Sequence, residues 1–120
     1  MSQIIEVNVR DIIVSNGSFG PREILTLSNA IADDYRQFQV LKDAVAELEA
    51  SDARTPASSV RLGVGQFFLG RYEDASRVLS SADGGALAYF YLGRSQFEME
   101  KYSEAINSYN SAKMLSLIHI

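Results

Sequence analysis

The sequence predicts an all-α chain: helix-turn-helix repeats forming a fragment of an α-solenoid, preceded by an N-terminal helical segment. Three observations predict it. The stretch "RLGVGQFFLGRYEDASRVL" (61–79) returns thirty residues later as "YLGRSQFEMEKYSEAINSY" (91–109). Leu62, Gly63, Gln66, Phe67, Tyr72 and Ala75 align with Leu92, Gly93, Gln96, Phe97, Tyr102 and Ala105, and self-similarity at a fixed period marks a repeat architecture. Apolar residues follow helical spacing: Tyr89, Leu92, Gln96 and Phe97 on one side of a polar break, and Tyr102, Ala105, Ile106, Tyr109 and Ala112 on the other. Prolines number two and turn clusters are few after residue 21, so little interrupts helices there.

Residues 1–20 form an arm or a short helix. Ile5, Val7 and Val9 alternate as in a strand, while Ile5, Val9 and Ile12 share a helix face. A lone strand would have no partner in a helical body, which favours a short helix or an extended arm packed on that body. Asn16-Gly17-Ser18 reads as a turn. Residues 21–51 form an amphipathic helical segment, with Ser18 available as a cap and Pro21 suited to a first turn. Ile24, Leu27, Ile31, Phe38, Leu41, Val45 and Leu48 recur at steps of three and four, interrupted at Asp34. Two helices, or one kinked helix, would lay this stripe against the first repeat. Adjacent helical positions point to different faces, so Asp33-Asp34 reads as a break or a solvated turn rather than a carboxylate pair. "DARTPASS" (52–59) leads into the repeats.

The repeats occupy residues 52–114, as units of about 56–85 and 86–114. Gly63, Gly65 and Gly70 raise the question of a phosphate loop, which needs a preceding strand and a following helix. Upstream lies "ARTPASSVRL", which is no β-branched run, and the second unit replaces Gly65 and Gly70 by Ser95 and Glu100. Only Gly63 and Gly93 belong to the pattern. A glycine inside a helix costs about 1 kcal/mol relative to alanine, so its recurrence points to close approach by a neighbouring helix, with Ala75 and Ala105 as small partners. The first unit closes early at "SSADGGAL", where Gly84 or Gly85 can adopt the left-handed conformation that ends a helix.

These units resemble the tetratricopeptide repeat, whose signature is W-x-x-L-G-x-x-Y, then A-x-x-x-F and a closing proline. The second unit has Tyr89-x-x-Leu92-Gly93-x-x-Gln96, then Ala105-x-x-x-Tyr109 and Ala112; the first has Ser59-x-x-Leu62-Gly63-x-x-Gln66, then Ala75-x-x-x-Leu79 and Ala82. Departures are the glutamine in place of the tyrosine after Leu-Gly, the missing proline and a period of 30 instead of 34. The resemblance implies that Leu62, Gly63, Ala75, Ala82, Leu92, Gly93, Ala105 and Ala112 pack the repeats. It also implies a concave binding face carrying Val60, Val64, Phe67, Phe90, Arg94 and Glu98, suited to a peptide or partner helix with an apolar anchor and a polar flank. Family members that clamp a C-terminal carboxylate use Lys and Asn on successive first helices; Val60, Val64 and Tyr91 stand at those places here, which argues against that sub-class.

Composition narrows the function. Cysteine is absent, which removes disulfides and thiolate metal sites. The single histidine, His119, is the last residue but one of the sequence, and no HExxH or GxSxG occurs, so no catalytic or metal site and no cofactor is expected. Eleven scattered basic residues in a chain of net charge −4 form no footprint for nucleic acid. No apolar run reaches the 18 or so residues that span a bilayer, and the N-terminus lacks the pattern of a secretory signal; a soluble, cytoplasmic protein is expected. "LSLIHI" (115–120) is similar to translated adapter read-through at the ends of metagenomic gene fragments, and the expectation is a chain whose repeats continue further. The function expected is a non-catalytic protein-interaction scaffold. The alternatives are a recruiting module of a larger enzyme or assembly, and a self-associating protein that docks through its C-terminal helix.

Overall fold

Helix starts follow capping chemistry. The computed structural model describes residues 7–118, and every regular element among them is a helix: α1 (Val9–Val14), α2 (Pro21–Asp33), α3 (Tyr35–Ala50), α4 (Pro56–Phe68), α5 (Tyr72–Ser81), α6 (Gly85–Glu98) and α7 (Tyr102–Ile118). The Asn8 side chain accepts the Asp11 N–H at 2.9 Å to open α1. Gly20, rather than Ser18, precedes α2; its N–H is held by Glu23 Oε1 at 2.8 Å, and Pro21 supplies the first turn. Asp34 ends α2 and caps α3 by accepting the Arg36 N–H at 2.9 Å. The segment 21–50 is thus two helices broken at the aspartate. Thr55 and Ser58 close a reciprocal box over α4, at 3.2 and 2.8 Å.

The two units end their first helices in the same way. Gly70 (φ 79°) and Glu100 (φ 62°) both adopt the left-handed conformation. In each, the next N–H returns to a glutamine carbonyl, from Arg71 to Gln66 at 2.9 Å and from Lys101 to Gln96 at 2.8 Å, which satisfies carbonyls that the helix leaves open. The end of α5 differs from expectation. The helix stops at Ser81 with Ala82 extended, and the left-handed Gly85 (φ 70°) opens α6 instead of closing α5.

Successive helices pack on one another from α2 through α7, and α4 lies at the centre with α1, α3, α5 and α6 around it. Every residue from Val60 to Phe67 is therefore buried, as expected of a helix enclosed on all sides. The glycines make the enclosure possible. A Cβ on Gly63 would lie 2.4 Å from Leu79 Cγ of α5, and one on Gly93 would lie 2.8 Å from the Tyr109 ring of α7. The approaching residue is thus the large one at the end of each A-x-x-x-L/Y stretch, not Ala75 or Ala105. Gly65, outside the repeat pattern, gives the same clearance to Val45 of α3, at 2.7 Å.

Two apolar clusters result. Val9, Ile13, Leu27, Leu41, Val45 and Leu62 join the N-terminal helices to one side of α4. Ile24, Val64, Phe67, Leu79, Tyr91 and Leu92 fill the other side, toward α6. Polar links tie the layers: Gln66 Nε2 donates to Glu49 Oε2 of α3 at 3.0 Å, and Ser108 Oγ of α7 donates to Gln96 Oε1 of α6 at 2.7 Å. Gln66 and Gln96, thirty residues apart, thus each bridge to a neighbouring helix. No described helix is long and apolar enough to cross a membrane.

Candidate functional site: an apolar groove between α2, α6 and α7

An open groove of about 890 Å³ separates the N-terminal helices from the second helix pair. Pro21, Ile24, Leu25 and Ser28 of α2 form one wall; Leu87, Phe90, Tyr91 and Arg94 of α6, with Tyr109, Ala112 and Lys113 of α7, form the other. Helical spacing explains the second wall. Leu87, Phe90, Tyr91 and Arg94 fall at steps of three and four, one face of α6, and α7 presents Tyr109, Ala112, Lys113 and Ser116 in the same rhythm.

Aromatic rings build the floor. Phe90 is 42% exposed and meets Tyr91 edge-on with centroids 5.2 Å apart. It also meets Tyr109 at 5.8 Å. Arg94 lies over the rings of Phe67 (4.7 Å) and Tyr91 (5.5 Å), where the negative ring faces attract its guanidinium. Burial pushes the Tyr91 hydroxyl above its ordinary pKa, and the Arg94 charge beside it opposes the shift. Arg94 and Lys113 are the charged residues of the lining, both cationic. Neither has a carboxylate partner among the described residues.

Of the residues assigned to a concave face, the structure brings Phe90 and Arg94 into this groove. Glu98 is exposed at the C-terminal end of α6, outside the lining. Val60, Val64 and Phe67 are in the core, at 6, 0 and 7% exposure. The reason is the N-terminal segment: Ile24 of α2 and Phe19 before it join the cluster that holds these three, so this face of α4 is covered. All the packing residues are buried except Ala82, which is half-buried at the end of α5. His119 lies outside the described residues.

The wall contributed by α2 was missed by sequence reasoning, because an exposed Leu25 on an amphipathic helix carries no signal of what faces it. Arg61 was also missed. It is 4% exposed, between Val60 and Leu62 on the enclosed helix. Its signal was available: a helix whose residues on every face are apolar or small leaves no solvent side for an arginine. Among the described residues no group of His, Cys, Asp and Glu is placed to hold a metal ion. No family model, curated protein or solved structure matches this chain.

Proposed function

We propose that this chain is a non-catalytic protein-interaction module of the tetratricopeptide kind that holds an amphipathic peptide or partner helix in the groove between α2, α6 and α7. The observation that carries this reading is an open apolar groove whose exposed Phe90 and Leu25 are rimmed by two cations without carboxylate partners among the described residues. Helix-in-groove recognition uses apolar anchors spaced at three and four residues, and charge at the rim sets register and partner choice. The ligand that fits is therefore an apolar stripe with an acidic flank facing Arg94 and Lys113. The test uses synthetic amphipathic peptides that share one apolar stripe and differ only in flank: Glu, Gln or Lys. Fluorescence anisotropy should rank them in that order, with about tenfold between the extremes, and Arg94→Glu, which sets one carboxylate against Lys113, should abolish the ranking. Equal affinity for all three peptides, or an unchanged ranking in a helical Arg94→Glu variant, would overturn the reading.

A second reading, self-association, is favoured by a different surface. Phe97, Tyr102 and Ile106 are 53, 51 and 59% exposed. Thirty residues earlier, Phe67 is buried under the following helix with its ring 5.5 Å from that of Tyr91. A second copy of the chain, meeting this one face to face, would cover the corresponding patch. Sedimentation velocity over a concentration series should then show a dimer that Ile106→Glu dissociates; a monomer at every concentration removes this reading.

A further inference from the structure

A second cavity, of about 470 Å³, shares Leu87 of α6 with the groove. Three segments distant in sequence meet there: Gly17 and Phe19 of the α1–α2 connection, Pro56, Ala57, Val60 and Arg61 from the start of α4, and Asp83, Gly84 and Leu87 around the start of α6. Arg61 is the unusual member. It is buried to 4% exposure, and a buried cation costs free energy unless it is paired and hydrogen-bonded. Its Nη2 donates to the Gly17 carbonyl oxygen, and its guanidinium lies 5.6 Å from the Phe19 ring centroid. Nε is shielded from solvent and has no hydrogen-bond partner among the described residues. No carboxylate among the described residues lies within ion-pair distance. Packing does not require a cation at this place, because the second unit fills it with Tyr91. The start of α6 adds to the positive character. Gly84 makes no side-chain capping hydrogen bond at the start of that helix, the positive end of its dipole.

We propose that this cavity binds a small monocarboxylate with an apolar body, its carboxylate held against the Arg61 guanidinium. The walls select the body: Phe19, Pro56, Ala57, Val60 and Leu87 are apolar. The charge balance selects a single negative charge. One arginine lines the cavity, and Asp83 lines it too as an opposing carboxylate, which disfavours a dianion such as phosphate. The volume suits a compact organic acid. Burial lowers the Arg61 pKa from its ordinary value, and an arginine guanidinium carries its charge throughout the physiological range.

The experiment is a titration of the full chain with benzoate, inorganic phosphate and benzyl alcohol, followed by NMR at the Arg61 Nε–H and the Gly84 amide. Benzoate should shift both resonances saturably, and benzyl alcohol, which has the body without the charge, should not. Asp83→Asn should tighten benzoate binding about fivefold by removing the opposing charge. Arg61→Met, checked for helical content and cooperative melting, should weaken it at least about tenfold. The proposal is overturned if benzoate gives no saturable shift at about 10 mM, if benzyl alcohol or phosphate binds as well, or if a folded Arg61→Met variant binds undiminished. If that variant does not fold, the wild-type resonances decide alone.

Discussion

At Gly63 and Gly70 the same residue type is required for opposite reasons. Gly63 has ordinary helical backbone, and its constraint is steric, since a Cβ would meet Leu79 Cγ at 2.4 Å. Gly70 has open space around its Cα, and its constraint is conformational, at φ 79°. Gly63→Ala should therefore destabilise by about 2 kcal/mol, the overpacking cost exceeding the gain in helix propensity. Truncating its neighbour in the double variant Gly63→Ala/Leu79→Ala should show strong coupling in urea unfolding, because the pair competes for one space. Gly70→Ala should cost about 1 kcal/mol and show no such coupling. The second unit offers the converse experiment. Glu100 holds the same left-handed turn at φ 62° with a side chain, so Glu100→Gly should stabilise by about 1 kcal/mol, read as a higher urea midpoint at unchanged slope. The recurrence of Gly63 and Gly93 made a close approach legible in the sequence. That Leu79 and Tyr109 make the approach was not, since spacing identifies a helix face but not which neighbour fills its hole.

The break between α2 and α3 is an element-scale device made by one carboxylate. Asp34 accepts the Arg36 N–H at 2.9 Å and the Arg36 Nη2 at 3.0 Å, and these hydrogen bonds hold its pKa below the ordinary 3.8. A depressed folded pKa means that the stabilisation is present above the unfolded value and is lost as pH falls through the folded one. Asp34→Asn keeps a capping oxygen but does not titrate. It should leave the melting temperature near neutral pH little changed and flatten its fall below about pH 4; an acid limb identical to that of the parent would refute this. The interruption of the apolar stripe at Asp34 made this break readable from sequence. The two helices it separates are another matter. Their burial against α4 depends on Ile24, Leu27, Leu41 and Val45 meeting residues about 20 to 40 positions later, and local periodicity does not encode such pairings. For that reason Val60, Val64 and Phe67 read as a surface and lie in the core, while Leu25 and Phe90 form the accessible groove.

For the whole molecule, enclosure is uneven. The chain extends over 47 × 33 × 29 Å, with α4 surrounded by four helices while α7 packs chiefly on α6. Amide exchange should follow that arrangement: slowest over Val60–Phe67, near the free energy of global unfolding, and markedly faster along α7, whose outward residues Tyr102, Ile106 and Met114 are exposed. Comparable protection in both helices would show that the molecule opens as one unit. In either case the groove wall supplied by α7 and the cavity around Arg61 belong to differently enclosed parts of the fold, so ligands at the two sites should protect different sets of amides.

The clearance at Gly65 also bears on how such a chain can be lengthened or rearranged. The second unit carries Ser95 at that place, fully buried, its Oγ donating to the Tyr91 carbonyl oxygen at 2.8 Å. Moved to follow α3, that serine would place a Cβ 2.7 Å from Val45 Cγ2. The preceding helices differ in the complementary sense: thirty residues after Val45 stands Ala75. A duplication that copied the second unit into the first position would therefore be rejected by α3, whereas a copy of the first unit placed second would meet the smaller residue. The two units share a pattern but are not interchangeable modules, and their order along the chain is set by where a single hydrogen stands in place of a side chain.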